Sequence, residues 1–375
     1  MADIFRTLSG LSNGTTYEFR ITAIGDGTNY TDSAPSTLDN FTTLIPLAVP
    51  TNLTLSKTTN SITATWSAVE HAGNASGTAA YRVSYVTGNG TPTTVDVSGT
   101  SYTLPSLAQG ATYDFQVMAL GDGTVYEDSE YCTAVSETTL VKLATPAPTV
   151  DSTTSQVSVA WAAITNADGY NVYYKTGNGA YGNAIDVGTD LTYAVTGLEE
   201  GVTITFKVEA YTNSPTVYEN SEQSAEVTET TQITLDAPVF TLSKTTNSIT
   251  ANWTQVANAT GYTVAYKLST SAGDFTEVPI NSGSTTTYEL GSLPEGVTYI
   301  FKMKATSNVQ DYVDSPFSAT QSEVTLITLA TPSSIVVSDI TSTSAKVTWA
   351  EVANASGYKI EYRVAGSEGE WTEVN

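Results

Sequence analysis

The chain has 375 residues, a length that predicts two to four domains. With 14 Lys and Arg against 38 Asp and Glu, its formal net charge is −24, which makes nucleic acid and anionic membrane surfaces poor partners, because phosphate binding depends on clustered Lys and Arg. One Cys and one His exclude an internal disulfide framework and any metal site built from several Cys or His, and no apolar run approaches the roughly 18 residues of a membrane span.

The first stretch, residues 1–44 (the head segment), alternates apolar and polar residues as half-buried β-strands do. Residues 17–23, Tyr-Glu-Phe-Arg-Ile-Thr-Ala, show the alternation plainly. The motif Leu-x-x-Gly-x-x-Tyr-x-Phe at 11–19 recurs at 107–115 and 293–301, and at 198–206 with Ile204 in place of the Tyr. The chain therefore repeats one structural unit.

Two other markers keep the same period. A Trp lies at positions 66, 161, 253 and 349, and a Pro opens each unit at positions 50, 146, 238 and 332, so the spacings run from 92 to 96 residues. Such a period is too long for a solenoid and fits a small domain. Alternating stretches separated by turns rich in Gly, Asn, Asp and Ser predict an all-β fold of tandem seven-stranded antiparallel β-sandwiches. The complete copies predicted are repeat 1 (48–140), repeat 2 (144–231) and repeat 3 (235–326).

Each repeat resembles a fibronectin type III domain. The resemblance rests on the Pro before the first strand, the Trp on the second, a Tyr on the third and the Leu-x-x-Gly-x-x-Tyr-x-Phe corner before the sixth. It covers nearly the whole chain and implies an immunoglobulin-like sandwich that folds without disulfides, in agreement with the single Cys. The departure at Ile204 implies that repeat 2 lacks the hydrogen bond of the corner phenol.

A polar loop between the sixth and seventh strands reads Gly-Asp-Gly-Thr-x-Tyr-x-Asp-Ser at 25–33 and again at 121–129. Its carboxylates, on Asp26, Asp32, Asp122 and Asp128, are weak candidates for Ca²⁺ ligands. The alternative is a tight turn in which Asp caps backbone amides, and the loss of both Asp from repeat 2 favours that turn. No other cofactor is predicted, and the absence of a nucleophile elbow, a phosphate loop or a His-bearing acid–base set predicts that the chain is not an enzyme.

Three single residues receive structural interpretations. Cys132 stands where the other units have Ser36, Ser224 and Ser318, which predicts a small filler at the start of the last strand. His71 begins an insertion and is interpreted as a solvated loop residue. Trp371 matches Phe275 of repeat 3 in position and is interpreted as a packing residue.

The linkers and the last stretch, residues 331–375 (the tail segment), complete the pattern. Short apolar linkers such as 43–50 and 325–332 favour burial between neighbours and predict an elongated, semi-rigid rod. The tail segment matches strands A to C′ of a repeat, and the head segment matches strands E to G. Between the Trp and the corner aromatic, complete repeats have 47, 43 and 46 residues; 26 residues follow Trp349 and 17 lead to Tyr17, together 43. The two segments thus predict complementary halves of one split domain.

Three arrangements follow from this prediction. In the first, the tail segment of one molecule is completed by the head segment of the next. In the second, the chain is one period of a longer, truncated array. In the third, the halves close within one molecule, which a rod disfavours because it separates the two ends. The first arrangement predicts an assembly joint. Its residues are Phe5, Leu8, Leu11, Tyr17, Phe19 and Ile21 of the head segment and Trp349, Tyr358, Ile360 and Tyr362 of the tail segment.

The sequence therefore predicts a non-catalytic structural protein, located outside the cell or at its surface. The leading hypothesis is a stalk or fibre subunit that binds itself head to tail as a homopolymer. The alternative is a truncated spacer or carbohydrate-binding segment of a larger surface adhesin or polysaccharide-degrading enzyme, with surface glycans or other cell-surface proteins as partners. The acidic, Thr-rich and Lys-poor composition is typical of bacterial or archaeal extracellular proteins.

Overall fold

The computed structural model describes residues 4–374, so residues 1–3 and 375 of the predicted head and tail segments lie outside the described residues. Within that range the regular structure is entirely β-strand. No helix of the described chain is long and apolar enough to cross a membrane. Backbone contacts divide the chain into two compact units. The first comprises residues up to Val150, Ser158–Tyr193 and Ile204–Thr228, and the second comprises Asp151–Val157, Ala194–Thr203 and the residues from Glu229 onward.

The first compact unit begins with the head segment, a linker strand and repeat 1. Their strands are β1 (Thr16–Phe19), β2 (Asp39–Thr42), β3 (Ile45–Pro46), β4 (Thr54–Lys57), β5 (Ile62–Thr65), β6 (Tyr81–Thr87), β7 (Thr93–Val97), β8 (Ser101–Leu104), β9 (Thr112–Ala119), β10 (Tyr126–Glu127) and β11 (Val135–Thr138). Repeat 1 has two antiparallel sheets, ordered β4-β5-β8 and β11-β9-β6-β7. Alternate side chains fill the core, and Ile62, Val83 and Phe115 are completely buried.

Repeats 2 and 3 follow the same order. The strands from the second linker through repeat 2 are β12 (Val141–Lys142), β13 (Thr149–Ser152), β14 (Gln156–Ala160), β15 (Gly169–Thr176), β16 (Ile185–Asp186), β17 (Thr192–Thr196), β18 (Thr203–Tyr211), β19 (Tyr218–Glu219) and β20 (Val227–Thr230). Those from the third linker through repeat 3 are β21 (Ile233–Thr234), β22 (Phe240–Lys244), β23 (Ile249–Trp253), β24 (Gly261–Leu268), β25 (Thr276–Ile280), β26 (Thr287–Leu290), β27 (Thr298–Thr306), β28 (Tyr312–Val313) and β29 (Gln321–Val324). The sheets are β13-β14-β17 and β16-β15-β18-β20 in repeat 2, and β22-β23-β26 and β25-β24-β27-β29 in repeat 3. The predicted all-β fold of tandem antiparallel sandwiches is confirmed.

The recurring Trp and Tyr contact each other inside every repeat. The two rings meet edge to face, with centroids 5.5 Å apart for Trp66 and Tyr81 and 5.3 Å apart for Trp253 and Tyr262. The buried Tyr hydroxyl accepts a backbone N–H, from Val69 at 2.8 Å in repeat 1. Burying a phenol without such a partner is costly, so the hydrogen bond explains why Tyr and not Phe stands at this position.

The last strand of each repeat begins with a break that alternation did not predict. In repeat 1, Ser129 and Cys132 each donate their backbone N–H to the sixth strand, to the carbonyls of Ala119 and Val117, at 2.9 Å. Ser129 and Cys132 are thus three positions apart, whereas the two residues that they pair with are only two positions apart, which is a bulge. The N–H groups of the sixth strand donate to side chains instead: Ala119 donates to Ser129 Oγ at 2.9 Å, and Val117 donates to Cys132 Sγ at 3.3 Å.

The head and tail segments form fewer and shorter strands than complete repeats. In the tail segment the four strands predicted as A to C′ are β30 (Val336–Ser338), β31 (Lys346–Thr348), β32 (Ile360–Tyr362) and β33 (Thr372–Val374). In the head segment the sixth strand spans only β1, and no strand forms at residues 5–8, the positions equivalent to the fifth strand, β8, of repeat 1. In repeat 1 the fifth strand pairs only with the second, which the head segment does not contain. An unpaired strand is not stable, which accounts for the difference.

Candidate assembly surfaces

The head segment exposes the apolar face that a complete repeat would bury. Its β1–β2 hairpin and the residues before it form an open groove of about 640 Å³. The groove is lined by Ile4, Phe5, Arg6, Leu8, Leu11, Phe19, Arg20, Ile21 and Phe41. Five of the six predicted head-segment joint residues lie here. The sixth, Tyr17, stacks on Phe41 at 6.0 Å and accepts the N–H of Ser12 at 2.9 Å.

The tail segment keeps the local contacts of a complete repeat. Trp349 and Tyr358 meet edge to face at 5.1 Å, and the Tyr358 hydroxyl accepts the N–H of Val352 at 2.7 Å. Both contacts match those of Trp253 and Tyr262 in repeat 3. The predicted joint residues Ile360 and Tyr362 lie at the two ends of β32. This half is therefore organised as in a repeat but lacks the strands that would cover it.

Comparison with equivalent positions shows how much surface is uncovered. Phe19 is 37 % exposed and Ile21 68 %, whereas their equivalents in repeat 1, Phe115 and Val117, are completely buried. On the other half, Tyr358 is 40 % exposed against 1 % for its equivalent Tyr262. Exposed apolar surface of this kind indicates an interaction site.

In complete repeats the equivalent residues form a seam between the third and sixth strands. In repeat 3, Tyr266 faces Phe301 and Val264 faces Met303 across β24 and β27. The register is the same in repeats 1 and 2, where Tyr85 faces Phe115 and Tyr174 faces Phe206. The rings of the facing Tyr and Phe lie 5.9 to 6.1 Å apart in all three repeats. The tail segment carries the third-strand side of this seam, and the head segment carries the sixth-strand side.

The first three linkers each contact the segments on both of their sides. β3, β12 and β21 pair in parallel with β10, β19 and β28 of the repeat that follows. The linker Leu two residues later, Leu47, Leu143 or Leu235, is buried. On the other side the linker apolar residue lies against the corner Gly of the preceding segment, so a Cβ at Gly14 would stand 3.0 Å from Ile45. The corner Gly residues also have positive φ. The close contact with the linker and the positive φ together explain why the corner motif contains Gly.

A carboxylate fixes two of the linkers to the preceding repeat. Glu200 accepts the N–H of Thr234 at 2.9 Å and its hydroxyl at 2.6 Å, and Glu295 does the same for Thr328. The hydrogen bonds from Thr328 lower the pKa of Glu295. Ile327 to Leu329 is therefore seated on repeat 3 like the other linkers, yet Leu329 is 47 % exposed where Leu235 is 5 % exposed. The linker is therefore held on repeat 3 as the other linkers are held on theirs, but the side that would contact a following repeat is exposed.

The four aspartates proposed as weak calcium candidates accept backbone amides. Asp26 Oδ1 takes the N–H groups of Thr28, Asn29 and Tyr30 at 2.7 to 2.9 Å, and these bonds lower its pKa to about 2. Asp122 makes the same three bonds in repeat 1. Asp32 and Asp128 accept the N–H of the first Gly of the loop. In residues 4–374 no three His, Cys, Asp or Glu side chains gather as metal ligands would. The arrangement is that of an amide-capping turn.

Two residues interpreted from the sequence have contacts that the pattern did not indicate. His71 was expected to be a solvated loop residue, but its ring stacks on Tyr126 with centroids 4.6 Å apart. Its backbone lies in the left-handed region at φ 65°. Trp371 is 56 % exposed, and the Arg363 guanidinium lies over its ring at 4.6 Å. Sequence alternation reports burial and not ring stacking, so neither contact could be read from it.

Comparison with known proteins agrees with this geometry. Residues 48–135 and 236–320 match the family model of the fibronectin type III domain. Repeats 1 and 3 are therefore fibronectin type III domains. Such domains are generally non-catalytic binding or structural modules and are typical of extracellular or surface proteins. Among solved structures, the FN1–FN3 domains of chicken CNTN1 match at 15 % identity with a TM-score of 0.34, covering 76 % of this chain and 100 % of that one.

Proposed function

We propose that the chain is an extracellular structural subunit that assembles head to tail. The tail segment of one copy supplies strands A to C′ of a sandwich, and the head segment of the next supplies strands E to G. The observation that carries the proposal is that the head segment exposes Phe19 and Ile21, and the tail segment exposes Tyr358 and Tyr362, at positions that complete repeats bury or half-bury. A contact of this kind does not close on itself and therefore propagates.

The seam register gives the pairs expected across the joint. By equivalence with repeat 3, Tyr362 would face Phe19 of the next copy and Ile360 would face Ile21. The first pair restores the Tyr–Phe contact that all three repeats contain. Phe and Ile side chains each contribute about 1.5–3 kcal/mol on burial, so these four residues supply a large share of the association free energy.

The last linker supports the same arrangement. Because Glu295 already holds Thr328, the parallel pairing made by β21 with β28 can form at Ile327 without further ordering of the linker. The equivalent partner on the next copy is Tyr30, which is 73 % exposed. Leu329 would then enter the joined core as Leu47 and Leu235 enter theirs.

Self-association of the full chain tests the proposal. A domain is stable by about 5–15 kcal/mol, and dividing it between molecules forfeits about 4 kcal/mol of effective concentration, which leaves about 1–11 kcal/mol for association. We expect a value above about 4 kcal/mol, which corresponds to a dissociation constant below about 1 mM, so the test covers about 1 µM to about 1 mM. Sedimentation velocity over this range should show a ladder of oligomers whose size grows with concentration. A species of constant monomer mass would contradict the proposal and favour the spacer alternative.

Variants with one blocked end make the test specific. Ile21→Asp blocks the head segment and Ile360→Asp blocks the tail segment, since each places a charge in the seam. Each variant alone should stay monomeric, whereas an equimolar mixture should form only dimers, through the one intact joint. Val239→Asp, at a position that is 79 % exposed in repeat 3, is the matched control and should polymerise normally. Polymerisation of Ile21→Asp alone would refute the joint.

A further inference from the structure

A cluster of one aromatic ring and two cations lies on the outer face of repeats 2 and 3. In repeat 3 the ring of Phe275 has Lys267 of the third strand at 4.8 Å and Lys302 of the sixth strand at 4.4 Å. In repeat 2 the ring of Tyr181 has Lys175 and Lys207 each at 4.8 Å. Cations at this distance are attracted by the ring quadrupole, so each cluster ties the third and sixth strands together.

Repeat 1 lacks all three members of this cluster. Its equivalent residues are Val86 on the third strand, Pro92 before β7 and Gln116 on the sixth strand. The ring and the two cations therefore occur together or not at all in the complete repeats. This behaviour indicates that they act as one unit.

The head and tail segments divide the same cluster between them. The tail segment holds the ring, Trp371, and the third-strand cation, Arg363, which are already in contact at 4.6 Å. The sixth-strand position falls on Arg20 of the head segment, an exposed residue that lines the open groove. The missing cation of the tail segment is thus present on the head segment, at the equivalent position.

The charges that face each other across the joint are also complementary. In repeat 3, Ala265 faces Lys302 and Lys267 faces Ile300. The equivalent pairs across the joint are Glu361 with Arg20 and Arg363 with Glu18. Opposite charges therefore meet at both positions, in the same register as the apolar pairs Tyr362–Phe19 and Ile360–Ile21. Directly opposite charges on neighbouring strands stabilise their pairing, and like charges weaken it.

We propose that Arg20 of one copy closes over Trp371 of the next and pairs with Glu361, and that this latch specifies which half-domain a head segment accepts. The inference rests on the proposed head-to-tail assembly and names the residues that make the joint selective. The seam of Phe19, Ile21, Ile360 and Tyr362 supplies apolar contact, which any similar sheet face offers. The latch supplies the discrimination, because it requires a ring and two charges in fixed places.

A charge exchange at a single joint tests the latch. Full-length chains carrying Ile21→Asp provide only a tail, and chains carrying Ile360→Asp provide only a head, so their mixture forms one joint whose dissociation constant is measured by sedimentation. Arg20→Glu on the head provider should weaken binding about tenfold or more, because Glu then faces Glu361. Adding Glu361→Arg to the tail provider should restore binding to within about threefold. Lys302→Gln in repeat 3 is the matched control and should leave the joint unchanged.

The outcomes separate the two proposals. If the unmodified tail and head providers do not associate, the head-to-tail joint is wrong and the latch falls with it. If they associate but Arg20→Glu has no effect, or Glu361→Arg fails to restore binding, the joint stands and the latch is wrong. As a second readout, the neutral change Trp371→Leu should weaken binding by Arg20 chains about three- to tenfold and should not further weaken binding by Arg20→Gln chains. Additive effects would overturn the latch.

Discussion

At the scale of single residues, side chains replace backbone acceptors at the start of every last strand. Ser129 and its equivalents Ser33, Ser221 and Ser315 accept one N–H of the sixth strand, and Ser36, Ser224 and Ser318 accept another. Cys132 occupies the second position in repeat 1 and uses its sulfur. The interpretation of Cys132 as a filler is therefore incomplete, because the thiol satisfies a buried amide as well as filling space.

Substitution of Cys132 separates these two roles. Cys132→Ser keeps an acceptor at the same place and should change the free energy of unfolding by less than about 0.5 kcal/mol. Cys132→Ala leaves the Val117 N–H without a partner and should cost about 1–3 kcal/mol. Hydrogen exchange of the peptide 112–119, measured by mass spectrometry, should quicken only in the Ala variant. Ser224→Ala, the matched change in repeat 2, should act likewise on residues 203–211, and equal exchange in both Cys132 variants would show that packing alone matters.

At the scale of elements, the linkers are structural parts of the fold. The first three linkers pair in parallel with a short strand of the repeat that follows and rest on the corner of the segment that precedes them. Glu200 fixes Thr234 by accepting both its N–H and its hydroxyl. These bonds lower the pKa of Glu200, in keeping with an ionised acceptor.

Removing Glu200 should loosen the third linker without unfolding either neighbour. In Glu200→Ala, hydrogen exchange at 233–235 and proteolysis between repeats 2 and 3 should both become faster, because two charge-assisted hydrogen bonds are lost. Glu199→Ala is the matched control. It removes the carboxylate next to Glu200 in the sequence, while the backbone carbonyl of residue 199 still accepts the Thr231 hydroxyl. Equal protection of the linker in both variants would refute the role given to Glu200.

The sequence predicted elements that depend on their own repeat and missed those that depend on a neighbour. Trp253, Tyr262 and the corner Gly296 were visible because their periodicity reflects the core and the turn of one unit. The parallel pairing of the linkers was not predicted, since an apolar linker shows that burial is favoured and not which strand it meets. The missing fifth strand of the head segment follows the same logic, because residues 5–8 match β8 of repeat 1 in position but the head segment does not contain the partner strand. Arg20 was overlooked because only alignment with Lys207 and Lys302 marks it.

At the scale of the whole molecule, assembly brings together chains that each carry a net charge of −24. At about 10 mM salt the Debye length is about 30 Å, so repulsion acts between whole domains. At about 150 mM salt the Debye length falls to about 8 Å, so only charged groups close to one another still interact appreciably. The Arg20–Glu361 and Glu18–Arg363 pairs at the proposed joint oppose this repulsion, but surface ion pairs are worth at most about 1 kcal/mol each.

The balance predicts that added salt strengthens assembly. Raising sodium chloride from about 10 mM to about 150 mM should increase the mean oligomer size at fixed protein concentration, because long-range repulsion is screened more than the contacts within the joint. Sedimentation velocity at constant pH measures this, and an equal osmolality of sucrose controls for solvent effects. The single joint formed by Ile21→Asp and Ile360→Asp chains should follow the same trend. A dissociation constant that rises with salt would mean that the charge pairs of the latch outweigh the net charge, and the size of that rise would measure their contribution.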